Sequence, residues 1–160
     1  MQTQTYISVI GVGAEREDLN NLAYEVGKLI AKQGAILVCG GLGGVMNSAA
    51  RGAKEAGGRT VGILPGSSRA GSSKYLDVAI PTDMGHARNA IIIRSADAVI
   101  AIGVGYGTLS EIGLALKMEK PVIGLRTWGL FRDGEKDEGI IPVDTAQEAV
   151  ETAFKIIRQA

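Results

Sequence analysis

The sequence predicts an α/β protein with a single domain over residues 1–160, built as a doubly wound parallel sheet with helices on both faces. Three observations predict this fold. Short apolar runs with the composition of strands alternate with longer segments of helical period. The runs are almost continuously apolar, which is typical of parallel strands covered on both faces. Glycine, with 23 of the 160 residues, is concentrated where several of these runs end.

The first half of the chain predicts three strands separated by two helices. Each strand is a run of apolar and β-branched residues, and each helix repeats apolar or small residues every three or four positions. Glycines follow both helices, as C-terminal stops do. In order, the elements are strand 6–10, helix 19–30, strand 35–39, helix 45–56 and strand 59–64.

The second half continues the alternation after a loop at 65–74 that is rich in glycine and serine. Residues 126–139 include seven charged residues and are expected to form a solvated loop. Right-handed crossovers between the strands would place helices on both faces of the sheet. The remaining elements are strand 77–80, helix 84–95, strand 97–102, helix 108–118, strand 121–125 and helix 146–158.

Composition and charge exclude several classes of protein. Basic and acidic residues both number 17, so the formal net charge is zero. Nucleic-acid binders and polybasic membrane-surface proteins usually carry a basic surplus, so neither partner is expected. The single cysteine, Cys39, is expected to be a buried, inert thiol, and the single histidine, His86, is expected to face solvent. One cysteine cannot form an intrachain disulfide, and one cysteine with one histidine cannot form a zinc site. The polar N-terminus lacks a signal-peptide pattern, and no apolar stretch approaches the ~20 residues of a membrane helix, so we expect a soluble, cytoplasmic protein.

Three glycine clusters follow three predicted strands and predict a phosphate site. Backbone N–H groups at glycines can approach an anion closely, and the following helix N-terminus adds partial positive charge. Ligands of open parallel sheets bind outside the carboxyl ends of the strands. The alternative is that the glycines only serve tight turns that need a positive φ. The clusters comprise Gly11 and Gly13; Gly40, Gly41, Gly43 and Gly44; and Gly103, Gly105 and Gly107.

A dinucleotide cofactor and a P-loop nucleotide are both disfavoured. Arg16 stands where the third glycine of a G-x-G-x-x-G fingerprint belongs. Cys39 and Gly40 end the second strand, where an acidic partner for the ribose is expected. No Gly-Lys-Ser/Thr sequence occurs, so the chain lacks a Walker A loop.

Arg88 and Glu111 are the charged residues most suited to a ligand site. Thr108-x-x-Glu111 fits a capping box with Thr108 as the N-cap, and this interpretation needs no ligand. Alternatively, Glu111 faces the glycine loops and positions a water or stabilises positive charge on a sugar carbon. Arg88 can pair with Glu111, hold a phosphate through two hydrogen bonds, or form a surface salt bridge. These alternatives stay open at the level of sequence.

Three motifs carry a family resemblance: Gly40-Gly41-Leu42-Gly43-Gly44-Val45-Met46, Met84-x-x-x-Arg88 and Gly105-Tyr106-Gly107-Thr108-x-x-Glu111. In this order they resemble the LONELY GUY (LOG)-type Rossmann family, long labelled "possible lysine decarboxylase". The resemblance covers roughly residues 6–125. Characterised members are cytokinin-activating phosphoribohydrolases, which cleave a nucleoside 5′-monophosphate into free base and ribose 5-phosphate. A related branch includes a molybdenum-cofactor carrier protein, which binds a phosphorylated pterin–metal ligand.

The resemblance implies a Rossmann-like fold and a set of site residues. Arg88 and Glu111 would be the catalytic pair, and no resident cofactor is required. In addition to the glycines named above, it implies Met46, Tyr106 and Thr108 in ligand or phosphate binding. Pyridoxal-dependent decarboxylation is not supported, because the candidate lysines lie on predicted helices in charged contexts.

The chain departs from the phosphoribohydrolase pattern at three positions. Gly103 and Val104 stand where that pattern has Pro-Gly, and Asn89 stands where it usually has lysine. The sequence Gly-Val-Gly-Tyr-Gly-Thr is more similar to the carrier branch. We therefore expect a binding or carrier protein for a nucleoside monophosphate or molybdenum cofactor. The alternative is a nucleoside 5′-monophosphate phosphoribohydrolase, in which Glu111 stabilises oxocarbenium charge and assists the attack of water.

Two apolar helices predict a homodimer or a higher oligomer. Ile91-Ile92-Ile93 are consecutive in helix 84–95, so at least one of them would be exposed unless another subunit covers it. Helix 108–118 is similarly apolar and contains small residues that allow close approach. LOG-type proteins likewise form dimers with the site near the interface.

Overall fold

The computed structural model describes residues 3–160, in which strands and helices alternate. A 3-10 turn, Gly85–Arg88, directly precedes the third helix. No helix in the described range is long and apolar enough to cross a membrane. The described strands and α-helices, in chain order, are β1 (Tyr6–Gly11), α1 (Glu17–Lys32), β2 (Ile36–Cys39), α2 (Val45–Glu55), β3 (Arg59–Leu64), β4 (Val78–Pro81), α3 (Asn89–Arg94), β5 (Ala98–Ile102), α4 (Tyr106–Lys117), β6 (Val122–Leu125), β7 (Leu130–Arg132), β8 (Glu135–Asp137), β9 (Ile140–Val143) and α5 (Ala146–Gln159).

Seven strands form one parallel sheet in the order β4-β3-β2-β1-β5-β6-β9. The chain starts near the middle at β1, builds outward to β4, and returns to the other side of β1 with β5. Ser8 of β1 pairs with Val38 of β2 on one side and with Val99 of β5 on the other. The doubly wound α/β fold predicted from the sequence is confirmed. Its topological switch point lies between β1 and β5, where sheets of this kind bind ligands.

Helices cover both faces of the sheet and bury the strands between them. α1, α2 and α5 contribute to one apolar cluster, and α3 and α4 contribute to the other. Ile92 and Ile93 of α3 are fully buried in the second cluster, and Ile91 packs against it partly buried. The chain's own core therefore accounts for all three isoleucines, and they no longer require a second subunit to cover them.

α1 and α2 pack with their backbones in close approach. A Cβ atom at Gly27 of α1 would lie 1.9 Å from the carbonyl oxygen of Ala49. A Cβ atom at Gly52 of α2 would lie 2.0 Å from the carbonyl oxygen of Tyr24. Only glycine fits at either position, so this reciprocal pair sets the distance between the helices that follow β1 and β2.

The segment after β6 differs from the sequence prediction. The expected solvated loop at 126–139 contains a β-hairpin, in which β7 and β8 pair from Leu130↔Asp137 to Arg132↔Glu135. β9, which pairs with β6 at the edge of the sheet, was also not predicted from the sequence. Pro142 obscures this strand in the sequence pattern, because proline cannot donate to a ladder and is tolerated only at edges and bulges.

Two helices also begin differently from their prediction. The helix expected at 84–95 is divided into the 3-10 turn and the short α3, and Gly85 at the start of the turn has φ +57°. The helix expected at 108–118 is α4, which begins two residues earlier at Tyr106. The second difference changes the interpretation of the candidate site.

Candidate ligand-binding site

A cleft of about 320 Å³ opens where β1, β2 and β5 end. Its volume is at the lower end of the ~300–1,000 Å³ typical of small-molecule sites. Nine of the fourteen predicted site residues line it: Gly11, Gly13, Gly40, Met46, Arg88, Gly105, Gly107, Thr108 and Glu111. The fold thus brings residues from four separate segments of the chain to one place.

Five predicted site residues lie outside the lining of the cleft: Gly41, Gly43, Gly44, Gly103 and Tyr106. Three of them, Gly41, Gly44 and Gly103, have φ values of +76°, +61° and +82°. The need for a left-handed backbone explains glycine at these three positions without a ligand. A direct role of the five in ligand binding stays a prediction.

The β1–α1 loop supplies hydrogen-bond acceptors to the N-terminus of α2. The N–H of Gly44, the N-cap residue, donates to Glu15 Oε1 over 3.0 Å. The N–H of Val45 donates to the carbonyl oxygen of Val12, also over 3.0 Å. Asn20 Nδ2 donates to Glu15 Oε2 over 2.7 Å and so engages the second carboxylate oxygen. Two N–H groups at the start of α2 therefore have partners within the protein.

The N-terminus of α4, in contrast, opens onto the cleft without a side-chain cap. Gly105 is the N-cap residue, and the N–H of Leu109 donates to its carbonyl oxygen over 2.9 Å. The N–H groups of a first helical turn have no acceptor within the helix, and Gly105 has no side chain to supply one. The capping box predicted from Thr108 and Glu111 is wrong, because Thr108 lies inside the helix and Glu111 lies in its second turn.

Residues after β6 hold the loop before α4. Trp128 Nε1 donates to the carbonyl oxygen of Gly105 over 3.1 Å, and Thr127 Oγ1 donates to that of Gly103 over 2.7 Å. The exposed ring of Tyr106 is tilted against the Trp128 indole, with ring centroids 5.9 Å apart. The chain's only tryptophan therefore contacts the loop that forms one wall of the cleft.

Glu111 is a buried carboxyl group in the lining of the cleft. Only 7% of its surface is exposed. Burial raises the pKa of Glu111 from its usual 4.5 to about 7, and the charge of Arg88 opposes this rise. A carboxyl with this pKa exists in both protonation states at neutral pH, as a general acid or base requires.

Arg88 is buried as well, with 8% of its surface exposed, so the surface salt bridge considered from the sequence is wrong. Its Nη1 donates to Asn89 Oδ1, whereas its Nε has no hydrogen-bond partner. Within residues 3–160 it forms no ion pair shorter than 4.0 Å, with Glu111 or any other carboxylate. Burial lowers the pKa of Arg88, and the Glu111 carboxylate acts in the opposite direction.

Gly40 makes room for the side chains that lie beside it in the cleft. A Cβ atom at Gly40 would lie 2.6 Å from Met46 Sδ and 2.8 Å from Arg88 Nη2. Because one of these neighbours is a buried guanidinium, a larger residue at position 40 would displace charge as well as volume. Glycine here is therefore a packing requirement of the site itself.

Six residues in the lining were not assigned to the site from the sequence: Val9, Ile10, Val12, Ala14, His86 and Asn89. His86 is exposed, as expected, but at the cleft. Asn89 is buried, and its Nδ2 donates to Ser110 Oγ over 3.2 Å, which joins α3 to α4. The one sequence signal for Asn89 was that the phosphoribohydrolase pattern usually has lysine at this position. The apolar residues carry no chemical signal that separates them from the core.

Cys39 takes no part in this chemistry. It is fully buried, and burial raises the pKa of its thiol to about 11. The expectation of a buried, inert thiol agrees with both observations. Across residues 3–160, no three His, Cys, Asp or Glu side chains are grouped so that they could hold a metal ion.

Solved structures with a similar fold include two proteins of the molybdenum-cofactor branch. The molybdenum cofactor binding protein from Rippkaea orientalis aligns with a TM-score of 0.89 and 37% identity, over 98% of this chain and 99% of that one. The molybdenum cofactor carrier protein from Chlamydomonas reinhardtii aligns with a TM-score of 0.83 and 34% identity, over 99% and 100% of the two chains. The resemblance to the carrier branch is therefore confirmed over nearly the whole chain.

Sequence relatives extend the similarity to the phosphoribohydrolases. The cytokinin riboside 5′-monophosphate phosphoribohydrolase of Mycobacterium tuberculosis is 36% identical over 124 residues, which are 71% of this chain and 66% of that protein. An uncharacterized protein from Archaeoglobus fulgidus is 47% identical over 144 residues, 90% of this chain and 91% of the other.

The fold and the site together define a LOG-type, Rossmann-like protein. More narrowly, the chain belongs to the SLOG cluster4 family, whose model matches residues 4–150. DNA processing protein A from Helicobacter pylori, with a TM-score of 0.74 and 22% identity, shares the fold alone. The absence of a nucleic-acid partner stays a prediction from charge.

Proposed function

We propose that this chain binds a small molecule with one phosphate monoester and a heterocyclic ring system, either a nucleoside monophosphate or molybdenum cofactor, as a binding or carrier protein. One observation carries the proposal: the uncapped N-terminus of α4 and the buried guanidinium of Arg88 face the same cleft. Molybdenum cofactor would be cargo here, and the chain needs no resident cofactor.

In this proposal the phosphate binds at the first turn of α4. A helix N-terminus offers N–H donors and partial positive charge to an anion. Gly107 lies in this turn and lines the cleft, yet nothing lies within 4 Å of the Cβ atom it lacks. Internal packing therefore does not explain glycine at position 107, whereas close approach of a ligand to the backbone does.

Arg88 supplies the positive charge. Its guanidinium belongs to a buried residue that lines the cleft, and within residues 3–160 it forms no ion pair. A buried charge without an opposite partner is costly. An anionic ligand in the cleft would neutralise the guanidinium, and Arg is well suited to phosphate.

The relatives support the class of ligand. The similar solved proteins are named for binding or carrying molybdenum cofactor, and the sequence relative for acting on a nucleoside monophosphate. Both ligands combine one phosphate with one heterocyclic ring system. The carrier proteins match this chain over their whole length, 99–100%, and the sequence Gly103-Val104 departs from the phosphoribohydrolase pattern, which favours the carrier function.

Fluorescence of Trp128 tests the proposal, because its indole contacts the loop before α4. AMP, adenosine and molybdenum cofactor are titrated into the wild type, Arg88→Met and Arg94→Met. We expect AMP or the cofactor to bind, adenosine not to bind, and Arg88→Met to weaken binding about tenfold or more, since hydrogen bonds to charged groups contribute ~1.5–3 kcal/mol. Arg94, exposed at the end of α3, which directly follows Arg88, serves as the matched control. Equal binding of AMP and adenosine, or binding of neither phosphorylated ligand, would contradict the proposal.

A second function, hydrolysis of a nucleoside 5′-monophosphate, is favoured by Glu111. Its pKa of about 7 leaves part of the population ionised at neutral pH. In that state it would stabilise oxocarbenium charge at the anomeric carbon and orient a water molecule, while Arg88 orients the ribose side. Water would add across the glycosidic bond, so that the sugar carbon gains the hydroxyl and the base leaves with the proton.

Product release separates the two functions. AMP and an N6-substituted AMP are incubated with the protein, and free base and ribose 5-phosphate are measured. Release that Glu111→Gln abolishes and the exposed control Glu138→Gln retains would establish hydrolysis. Binding of AMP without release would leave the carrier function.

We also expect a homo-oligomer in which α4 contributes to the interface. Gly113 is exposed on this helix with nothing within 4 Å of its Cβ position, so a partner helix could approach closely there. Light scattering measures the mass in solution. A species of at least two 16.6 kDa chains is expected, and a 16.6 kDa species alone would contradict the expectation.

A further inference from the structure

Three hydrogen bonds join the buried guanidinium of Arg88 to the first turn of α4. Arg88 Nη1 donates to Asn89 Oδ1, and Asn89 Nδ2 donates to Ser110 Oγ over 3.2 Å. The Ser110 hydroxyl in turn donates to the carbonyl oxygen of Gly107 over 2.8 Å. These bonds connect the two features of the cleft to which the proposed function assigns the phosphate, the guanidinium and the helix N-terminus.

Asn89 is the central member of this chain of hydrogen bonds, and asparagine meets both requirements of the position. The residue is buried, with 4% of its surface exposed, and it lines the cleft. The position needs an acceptor towards Arg88 and a donor towards Ser110, and a side-chain amide offers both. Aspartate would lack the donor, and lysine would lack the acceptor. The amide is also uncharged, so it orients the guanidinium without neutralising it.

The guanidinium of Arg88 is located from two sides. Its Nη1 is held by Asn89, and its Nη2 lies beside Gly40, where a Cβ atom would be 2.8 Å away. Among residues 3–160 no carboxylate pairs with it within 4.0 Å. A planar guanidinium binds phosphate through a fixed fork of donors, so its orientation determines which donors reach the ligand. The neutral amide therefore sets the direction of the fork and leaves its charge for the ligand.

We infer, on the basis of the proposed function, that Asn89 is a positioning residue that orients Arg88 for the phosphate and, through Ser110, fixes the guanidinium relative to the first turn of α4. Binding groups are held in productive geometry by the hydrogen bonds of the residues behind them. This role explains asparagine at a position where the phosphoribohydrolase pattern usually has lysine. An ammonium group could not accept from Arg88 and would place a second positive charge beside it.

A double-mutant cycle between positions 88 and 89 tests the inference. AMP binding is measured by calorimetry in the wild type, Arg88→Met, Asn89→Leu and the double variant, and urea denaturation gives the stability of each. Leucine is close to asparagine in shape and can form neither hydrogen bond. We expect Asn89→Leu to weaken AMP binding about fivefold or more in the wild type, because it removes the bonds to Arg88 and Ser110, and less than about twofold in Arg88→Met.

Ser110 allows a test that leaves the core unchanged, because its side chain is exposed. Ser110→Ala should weaken AMP binding about two- to fivefold, and Ser110→Thr, which keeps the hydroxyl, should recover most of that affinity. Ser95 is the matched control, since it is an exposed serine whose Oγ donates to the carbonyl oxygen of Ile91 over 2.7 Å, in the preceding helical turn. Ser95→Ala should leave AMP binding unchanged.

Several outcomes would overturn the inference and leave the proposed function intact. One is that Asn89→Leu binds AMP like the wild type, and another is that it loses as much affinity in Arg88→Met as in the wild type. Equal AMP affinities of Ser110→Ala and Ser95→Ala would also overturn it, even where Asn89→Leu does not fold. Molybdenum cofactor replaces AMP as the probe if the wild type binds the cofactor alone. Wild-type protein that binds neither ligand overturns the proposed function and this inference with it.

Discussion

Replacing Glu111 with glutamine should make the protein's stability less dependent on pH. Burial raises the pKa of this carboxyl from 4.5 to about 7 in the folded chain. Below pH 4.5 the group is protonated in both folded and unfolded chains. Between pH 4.5 and 7 only the folded chain holds the proton, so the free energy of unfolding falls as pH rises through this window. Above pH 7 the full loss is reached.

The size of the effect follows from the difference between the two pKa values. A shift from 4.5 to about 7 corresponds to about 3 kcal/mol in total, at 1.36 kcal/mol for each pKa unit. Between pH 5 and pH 8 the expected change is about 2 to 3 kcal/mol, because part of the transition lies outside that interval. Glutamine is close in shape to the protonated acid and does not ionise, so the variant should lack this contribution.

Urea denaturation at pH 5 and pH 8 measures the difference. The wild type should lose about 2 to 3 kcal/mol more than Glu111→Gln between the two pH values, while the exposed Glu138→Gln should follow the wild type. Comparing the change in unfolding free energy between variant and wild type cancels the contributions of all other titrating groups. If Glu111→Gln and the wild type lose the same stability, Glu111 is not a buried, protonated acid in the folded protein, and the hydrolytic role argued from its pKa loses its basis.

Two further predictions concern the packing of the helices and the buried thiol. Gly27→Ala should destabilise the protein by about 3 kcal/mol or more, because its Cβ would lie 1.9 Å from the Ala49 carbonyl oxygen; urea denaturation measures this. Cys39, with its pKa raised to about 11 by burial, should not react with Ellman's reagent at pH 8 until the protein is unfolded.

Each of these predictions has a contrary outcome. Equal stability of Gly27→Ala and the wild type would mean that α1 and α2 are not in backbone contact. Rapid labelling of Cys39 in folded protein, at the rate seen in urea, would mean that the end of β2 opens to solvent.

Much of the fold was predictable because apolar periodicity reports directly on the strands and helices of a doubly wound sheet. The three glycine loops after β1, β2 and β5 could be placed at one edge, since parallel topology brings strand ends together. β9 was missed because Pro142 interrupts the strand pattern, and the β7–β8 hairpin was missed because charged residues dominate it. In both cases the local sequence resembles a loop, and pairing partners distant in the chain decide the outcome.

The residues that form the site were predictable from the sequence, but their burial was not. Arg88 and Glu111 were recognisable as residues, but their burial depends on contacts across the fold, such as the space that Gly40 leaves beside Arg88. The capping box was misjudged because Gly105, an N-cap without a side chain, lets α4 begin at Tyr106. Glu15 carried no sequence signal, since its partner at Gly44 lies 29 residues away.

The glycine pair between α1 and α2 has a mechanical consequence for the cleft. Gly27 and Gly52 bring main chain against main chain, so neither helix can slide or tilt without a steric clash. The packed helix pair therefore holds the two preceding loops at a constant spacing. The opposite wall includes the 3-10 turn, α3 and the start of α4, where Asn89 donates to Ser110 Oγ and Trp128 donates to the carbonyl oxygen of Gly105. Substitutions in that wall leave the α1–α2 contact in place, so its residues are the ones to vary when a new ligand is to be accommodated.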